Sequence, residues 1–198
     1  MRESVTGPAR AQRADARSNR AAILDAAQEV FGEGGESAST EEVARRAGVG
    51  IATVFRHFPT KSELLVEVLV QRFGRLRDRA AELTGDANPG EALFVMFTEI
   101  VTDAPGKIAI ADALVDAGGV TGRAEQASQE LSQAVDVLLR RAQQAGAIRA
   151  DVGLPEFYAL MVGMSRAGAH AQLDLEVRTR AQRVIFDGLT PAAATEDA

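Results

Sequence analysis

Between Ile51 and Lys61 the chain gathers a hydroxyl, a guanidinium, an imidazole and an ammonium, on Thr53, Arg56, His57 and Lys61. No second histidine, cysteine or paired carboxylate lies near His57 at ligand spacing, so metal binding and catalysis are not the chemistry this segment suggests. What remains is recognition of a polyanion. Arg56 can fork onto a guanine edge or clamp a phosphate, and both roles are open to it. Thr53 can bond a phosphate or its own backbone, and His57 can donate to a phosphate or serve structurally. Ile51 and Ala52 can touch a thymine methyl, although Ile51 also falls near the inward face, where packing takes the larger share. Lys61, in the first turn of its helix, adds an ammonium to free amides and a positive dipole end, which suits a phosphate. Ser39 does the same at another helix start. On this chemistry the candidate nucleic-acid surface is Ser39, Ile51, Ala52, Thr53, Arg56, His57 and Lys61, with Thr40, Gly50 and Phe55 included as their neighbours in the same segment.

The elements that must position these groups are legible around them. Ser39 and Glu42 have the spacing of a capping box, in which the hydroxyl accepts from the Glu42 amide and the carboxylate returns to the Ser39 amide. Val43, Ala44 and Ala47 then form an apolar stripe, and Gly48 supplies a left-handed residue for a sharp turn. Val49 is expected to bury under that turn. A second short helix runs from about Ile51 to Phe58, with Val54 and Phe58 facing inward, and Pro59 stops it. Thr60 and Glu63 form a second capping box, so a long helix begins at Lys61. Helix, glycine turn, helix is the geometry that seats the second helix in a major groove.

The segment from about Asn19 to Leu69 resembles the amino-terminal domain of the TetR family of bacterial transcriptional regulators. The resemblance rests on the alanine-rich NRAAILDAAQEVFGEGG, the AGV turn, a short recognition helix ending in His57-Phe58, and the K-x-x-L-L start at Lys61. It covers roughly a quarter of the chain. Three positions depart from the pattern: Gly50 where Ser or Thr often caps, Ala52 where Gly is frequent, and Phe55 where Tyr is common. Phe55 lacks the hydroxyl of that tyrosine and with it one phosphate contact.

The rest of the 198 residues is long enough for a sizeable core and has no cysteine, which excludes disulfides and thiolate metal sites and suits a reducing cytoplasm. No apolar run of about 18 residues occurs, so the chain is expected to be cytoplasmic. The net charge of −6 divides unevenly: residues 1–77 hold 12 Lys/Arg against 10 Asp/Glu, and residues 78–198 hold 10 against 18. A modestly basic head on an acidic body orients the molecule in the phosphate field and limits non-specific coating of DNA. Past residue 60 the pattern is helical throughout, with helices expected from Lys61 to about Leu83, Glu91 to Asp103, Lys107 to Ala117, Arg123 to Ala145, Leu154 to Leu173 and Asp174 to Leu189. Pro105-Gly106 is read as a break between two of them.

These readings give an all-α protein with a three-helix helix-turn-helix domain over residues 18–66 and a helical effector-binding and dimerisation domain over 67–190. Residues 1–17 are read as a flexible basic arm and 191–198 as a frayed tail. Arg10, Arg13, Arg17 and Arg20 recur every three or four residues, which would also let them extend the first helix with a basic face. Gly163, Ala167 and Gly168, with Ala181, Val184 and Ile185, form small and apolar stripes. They suit either intramolecular core or a dimer interface, and the family resemblance implies pairing with a second subunit. Such a dimer presents two recognition helices about 34–36 Å apart, or a multiple, and so a near-palindromic operator. His170 is read as a packed or interface residue. The resemblance also implies a small-molecule site, for which Phe94, Phe97, Thr98, Val101, Asp112, Leu114 and Leu138 are the candidates; a solid core is the reading from pattern alone. No cofactor, metal or catalytic set is expected. The function expected is a dimeric repressor released by a small-molecule effector. The alternative is an interaction module of the same fold that has lost DNA binding.

Overall fold

A computed structural model describes residues 8–34, 38–116, 122–170 and 174–191. The first seven residues, most of the tail and the side chain of His170 lie outside the described part. Among the described residues there are eight helices and no strand: α1 Pro8–Gly34, α2 Thr40–Arg46, α3 Ile51–His57, α4 Lys61–Leu83, α5 Pro89–Asp116, α6 Gly122–Gln144, α7 Leu154–His170 and α8 Leu175–Leu189. None of these helices is long and apolar enough to cross a membrane.

The chain divides into two compact units, one of residues up to 69 with 109–121, the other of 70–108 with 122–198. In the first, α2 packs on α1 and α3. Its core is Ile23, Ala27 and Phe31 of α1, Val43 of α2, Val54 of α3, and Leu64, Leu65 and Val68 of α4, joined by Ile110 and Leu114 from the end of α5. In the second, Leu76 and Ala80 of α4, Leu93, Met96 and Phe97 of α5, Val135, Leu138 and Leu139 of α6, and Phe157 and Met161 of α7 form one apolar cluster. Phe97 lies edge-on to both Phe157 and Phe186, with centroids 5.6 and 5.3 Å away.

Three boundaries differ by more than one residue from the sequence reading. α1 begins at Pro8, so residues 8–17 are helical and not an arm. Proline is well placed at a first helical position because its missing amide has no partner there in any case. Arg13 and Arg17 are exposed on this extension. Secondly, α5 runs unbroken through Pro105. An interior proline costs a helix about 3 kcal/mol, but Ile100, Val101 and Ala104 before it and Ile110 and Leu114 after it are all buried. Packing on both sides outweighs the lost bond. The helix also starts two residues earlier than expected, with Asn88 capping the Glu91 amide at 3.3 Å and Pro89 in the first position.

Candidate nucleic-acid interface

The local chemistry that starts and stops the short helices is largely as the residue types dictate. The Ser39 hydroxyl accepts from the Glu42 amide at 3.2 Å, and Thr60 accepts from the Glu63 amide at 3.1 Å. The reciprocal half of the first box is absent. The Glu42 carboxylate instead takes both Nε and Nη2 of Arg45, because a charged guanidinium one turn on is a stronger donor than a neutral amide. That pairing holds the Glu42 carboxyl below its ordinary pKa. Gly48 has φ 69°, where only glycine sits without strain, and the Val49 amide closes the turn on the Ala44 carbonyl at 3.1 Å. Val49 is half-buried beneath it.

α3 then presents two faces. Val54 is fully buried and Phe58, the residue that ends the helix, is 3% exposed. Ala52, Phe55 and Arg56 are exposed, Thr53 and His57 half-buried, and Gly50 leads in from the exposed turn. Ile51 corrects the sequence reading: it is 37% exposed and its side chain is available to a base edge instead of being committed to the core. Ile51 lies in the first turn of α3, whereas Val54, one turn later, is fully buried.

Ser39 and Thr40 part company. Ser39 is half-buried with its hydroxyl engaged as the cap, and Thr40 is only 8% exposed. Lys61 donates to the Ala38 carbonyl at 3.1 Å and lies 5.3 Å from the Phe31 ring centroid, so it ties the start of α4 to the chain ahead of α2. An ammonium has three donors, which leaves capacity for a further contact.

Sequence reasoning missed the groups that hold α3 in place. Arg20 pairs with Glu67 at 3.0 Å and its guanidinium lies 5.1 Å from the centroid of the Phe58 ring. Arg46 pairs with Glu29 at 3.2 Å, linking α2 to α1. The i, i+4 spacing that puts Phe58 on the Val54 face gave a hint of the first contact, but the partner from α1 is remote in sequence.

In the other unit Phe97, Val101 and Leu138 are buried within the apolar cluster, with Phe94 and Thr98 half-buried. The Thr98 hydroxyl is buried with no hydrogen-bond partner. Asp112 and Leu114 belong to the first unit, where Leu114 is fully buried. On α7 Gly163 is exposed and a Cβ there would meet nothing within 4 Å, while Ala167 and Gly168 are half-buried. On α8 Ala181 and Ile185 are half-buried and Val184 is 70% exposed. No group of three or more metal-ligating side chains occurs among the described residues.

Residues 23–68 match the family described as bacterial regulatory proteins, tetR family, and residues 88–191 match the C-terminal domain of SbtR-like transcriptional regulators. The HTH-type transcriptional regulator SrpR of Pseudomonas putida is 31% identical over 161 residues, which are 79% of this chain and 76% of that protein. The HTH-type transcriptional repressor KstR of Rhodococcus jostii is 35% identical over 85 residues, 42% of this chain and 40% of its own. Among solved structures, a TetR transcription regulatory protein from Mycobacterium vanbaalenii superposes with a TM-score of 0.73 at 39% identity, covering 91% of this chain and 99% of that one.

Proposed function

Because this chain belongs to the TetR family and is a DNA-binding transcriptional regulator, we propose that it acts as a homodimeric repressor at a near-palindromic operator and is released by a small-molecule effector. The family is one of regulators and not of enzymes. The observation that carries the reading is the division of α3, with Val54 and Phe58 buried and Ile51, Ala52, Phe55 and Arg56 left outside. An exposed face of one guanidinium and small or apolar groups, on a short helix behind a glycine turn, suits a major groove. Thr53 and His57 flank it, and Ser39, Gly50 and Lys61 supply amides and an ammonium for phosphates.

Replacing Arg56 by alanine is expected to weaken operator binding by about 1–3 kcal/mol. A titration against single-base operator variants separates its two roles. Loss confined to one position assigns a base contact, and a uniform loss with a shallower salt slope assigns a phosphate contact. Undiminished affinity for every variant would remove Arg56 from the interface.

A second copy of the chain is proposed to cover the outer faces of α7 and α8, where Tyr158, Leu160 and Gly163 of α7 and Val184 of α8 are exposed. Val184→Glu places a charge in that seam and is expected to shift the protein towards monomer in sedimentation and to weaken DNA binding with it. A variant that stays dimeric would place the seam elsewhere. The effector is proposed to lodge among the apolar side chains of the second unit, around Phe94, Phe97, Val101 and Leu138, with the unpartnered Thr98 hydroxyl as a polar handle. Release of DNA then follows only as far as the ligand prefers the non-binding state.

A further inference from the structure

Of the 22 basic residues in the chain, all but Lys61 and Lys107 are arginine. Lys61 has its structural tie at Ala38 and Phe31. Lys107 has no such tie: its ammonium lies 5.7 Å from the Phe73 ring centroid and makes no ion pair among the described residues. Beside it, within the same unit, Arg72 reaches from α4 to α5 and donates to both carboxylate oxygens of Asp103, at 2.7 and 3.3 Å, and to the Asp103 carbonyl at 3.4 Å. The two side chains are 12% and 23% exposed. The guanidinium is seated on Gly106, where a Cβ would stand 2.7 Å from Nη2 and 2.9 Å from Nη1. A side chain at residue 106 would displace it.

This cluster holds two cations against one carboxylate, and the carboxylate is already engaged by Arg72. Burial lowers the pKa of Lys107, and the nearby Arg72 charge adds to that; Asp103 opposes both without cancelling them. Among the described residues the half-buried cluster therefore carries one more positive charge than negative, with Asp103 shared between Arg72 and Lys107. We infer that Arg72, Asp103 and Lys107 form an anion subsite that takes the carboxylate of a small organic acid, with the Lys107 ammonium as its counter-charge. A single surplus charge matches a monoanion, and the Phe73 ring, itself packed against the apolar cluster, gives the acid's body an apolar neighbour. The inference rests on the effector reading of this unit and adds to it an acid-binding position on the α4 side of α5, about half a turn round that helix from Phe94, Phe97 and Val101. α4 and α5, which supply the cluster, are also the helices whose other ends belong to the DNA-binding unit.

The scarcity of lysine makes the test residue-specific. Full-length protein labelled with isotope at its lysines has two side-chain signals, and Lys107→Met identifies one of them. Benzoate is expected to move the Lys107 signal saturably and leave the Lys61 signal in place, with benzyl alcohol producing a smaller shift. By calorimetry Lys107→Met is expected to weaken benzoate binding about tenfold, as befits loss of a charge-assisted contact, and to spare benzyl alcohol. An unmoved Lys107 signal, or equal response to acid and alcohol, overturns the subsite. Operator release is read separately. A Lys107 shift without release upholds the subsite and removes the effector reading, whereas benzoate-driven release with the Lys107 signal unmoved does the reverse.

Discussion

Phe58→Ala is expected to lower the stability of the DNA-binding unit by about 3–5 kcal/mol and to remove operator binding at temperatures where the protein is still folded. The ring is 3% exposed, closes the end of α3, and lies under the Arg20 guanidinium at 5.1 Å. Its removal leaves a cavity against α1 and takes away the surface on which Arg20, itself anchored by Glu67 at 3.0 Å, rests. The recognition helix then loses the anchor that fixes its direction. Phe55→Ala is the control from the same helix. That ring is 44% exposed, so its loss should change stability by no more than about 0.5 kcal/mol, and any loss of DNA affinity reports direct contact. Urea denaturation with a parallel gel-shift distinguishes the two variants. A Phe58→Ala protein with wild-type stability and affinity would contradict the account of how α3 is held.

A comparable loss, again about 3–5 kcal/mol, is expected of Phe97→Ala in the second unit. Phe97 is fully buried and is the ring that meets both Phe157 and Phe186 edge-on. Each such pair adds about 0.5–1.5 kcal/mol beyond the area it buries. Phe94 touches only Phe186 of these rings, at 4.8 Å, and is half-buried. Phe94→Ala should therefore cost less. Calorimetric unfolding of the two variants tests the order, and a smaller loss for Phe97→Ala than for Phe94→Ala would move the centre of the core elsewhere.

The helix-turn-helix was legible because its signals are local. Ser39, Gly48, Pro59 and Thr60 each act within four residues of themselves, and the structure finds them capping, turning or ending the helices expected. Where a local signal met a competing partner, reading by spacing fell short. The Glu42 carboxylate goes to Arg45 and not to the Ser39 amide. Pro105 does not break α5, because residues on both sides of it are buried and pattern alone cannot weigh burial against one lost hydrogen bond. Ile51 falls near the inward face by helical spacing, yet it is exposed in the first turn of a seven-residue helix. The groups that hold the site, Arg20 with Phe58 and Arg72 with Asp103, join residues more than thirty apart in the chain. No periodicity links such pairs. Phe157 and Phe186 likewise gain their importance from meeting Phe97, which only the fold brings about.

We propose that the exposed face of α3, doubled by a two-fold, reads DNA. That role is tested most directly by a gel-shift of the purified protein on the DNA just upstream of its own coding region, at two salt concentrations and against scrambled competitor. A specific complex at a near-palindrome is expected, weakening steeply with salt by a log–log slope of about −0.9 for each phosphate contacted. Absence of a specific complex at low salt, both there and on a random DNA library, would contradict it and leave the helix-turn-helix as a scaffold for protein partners.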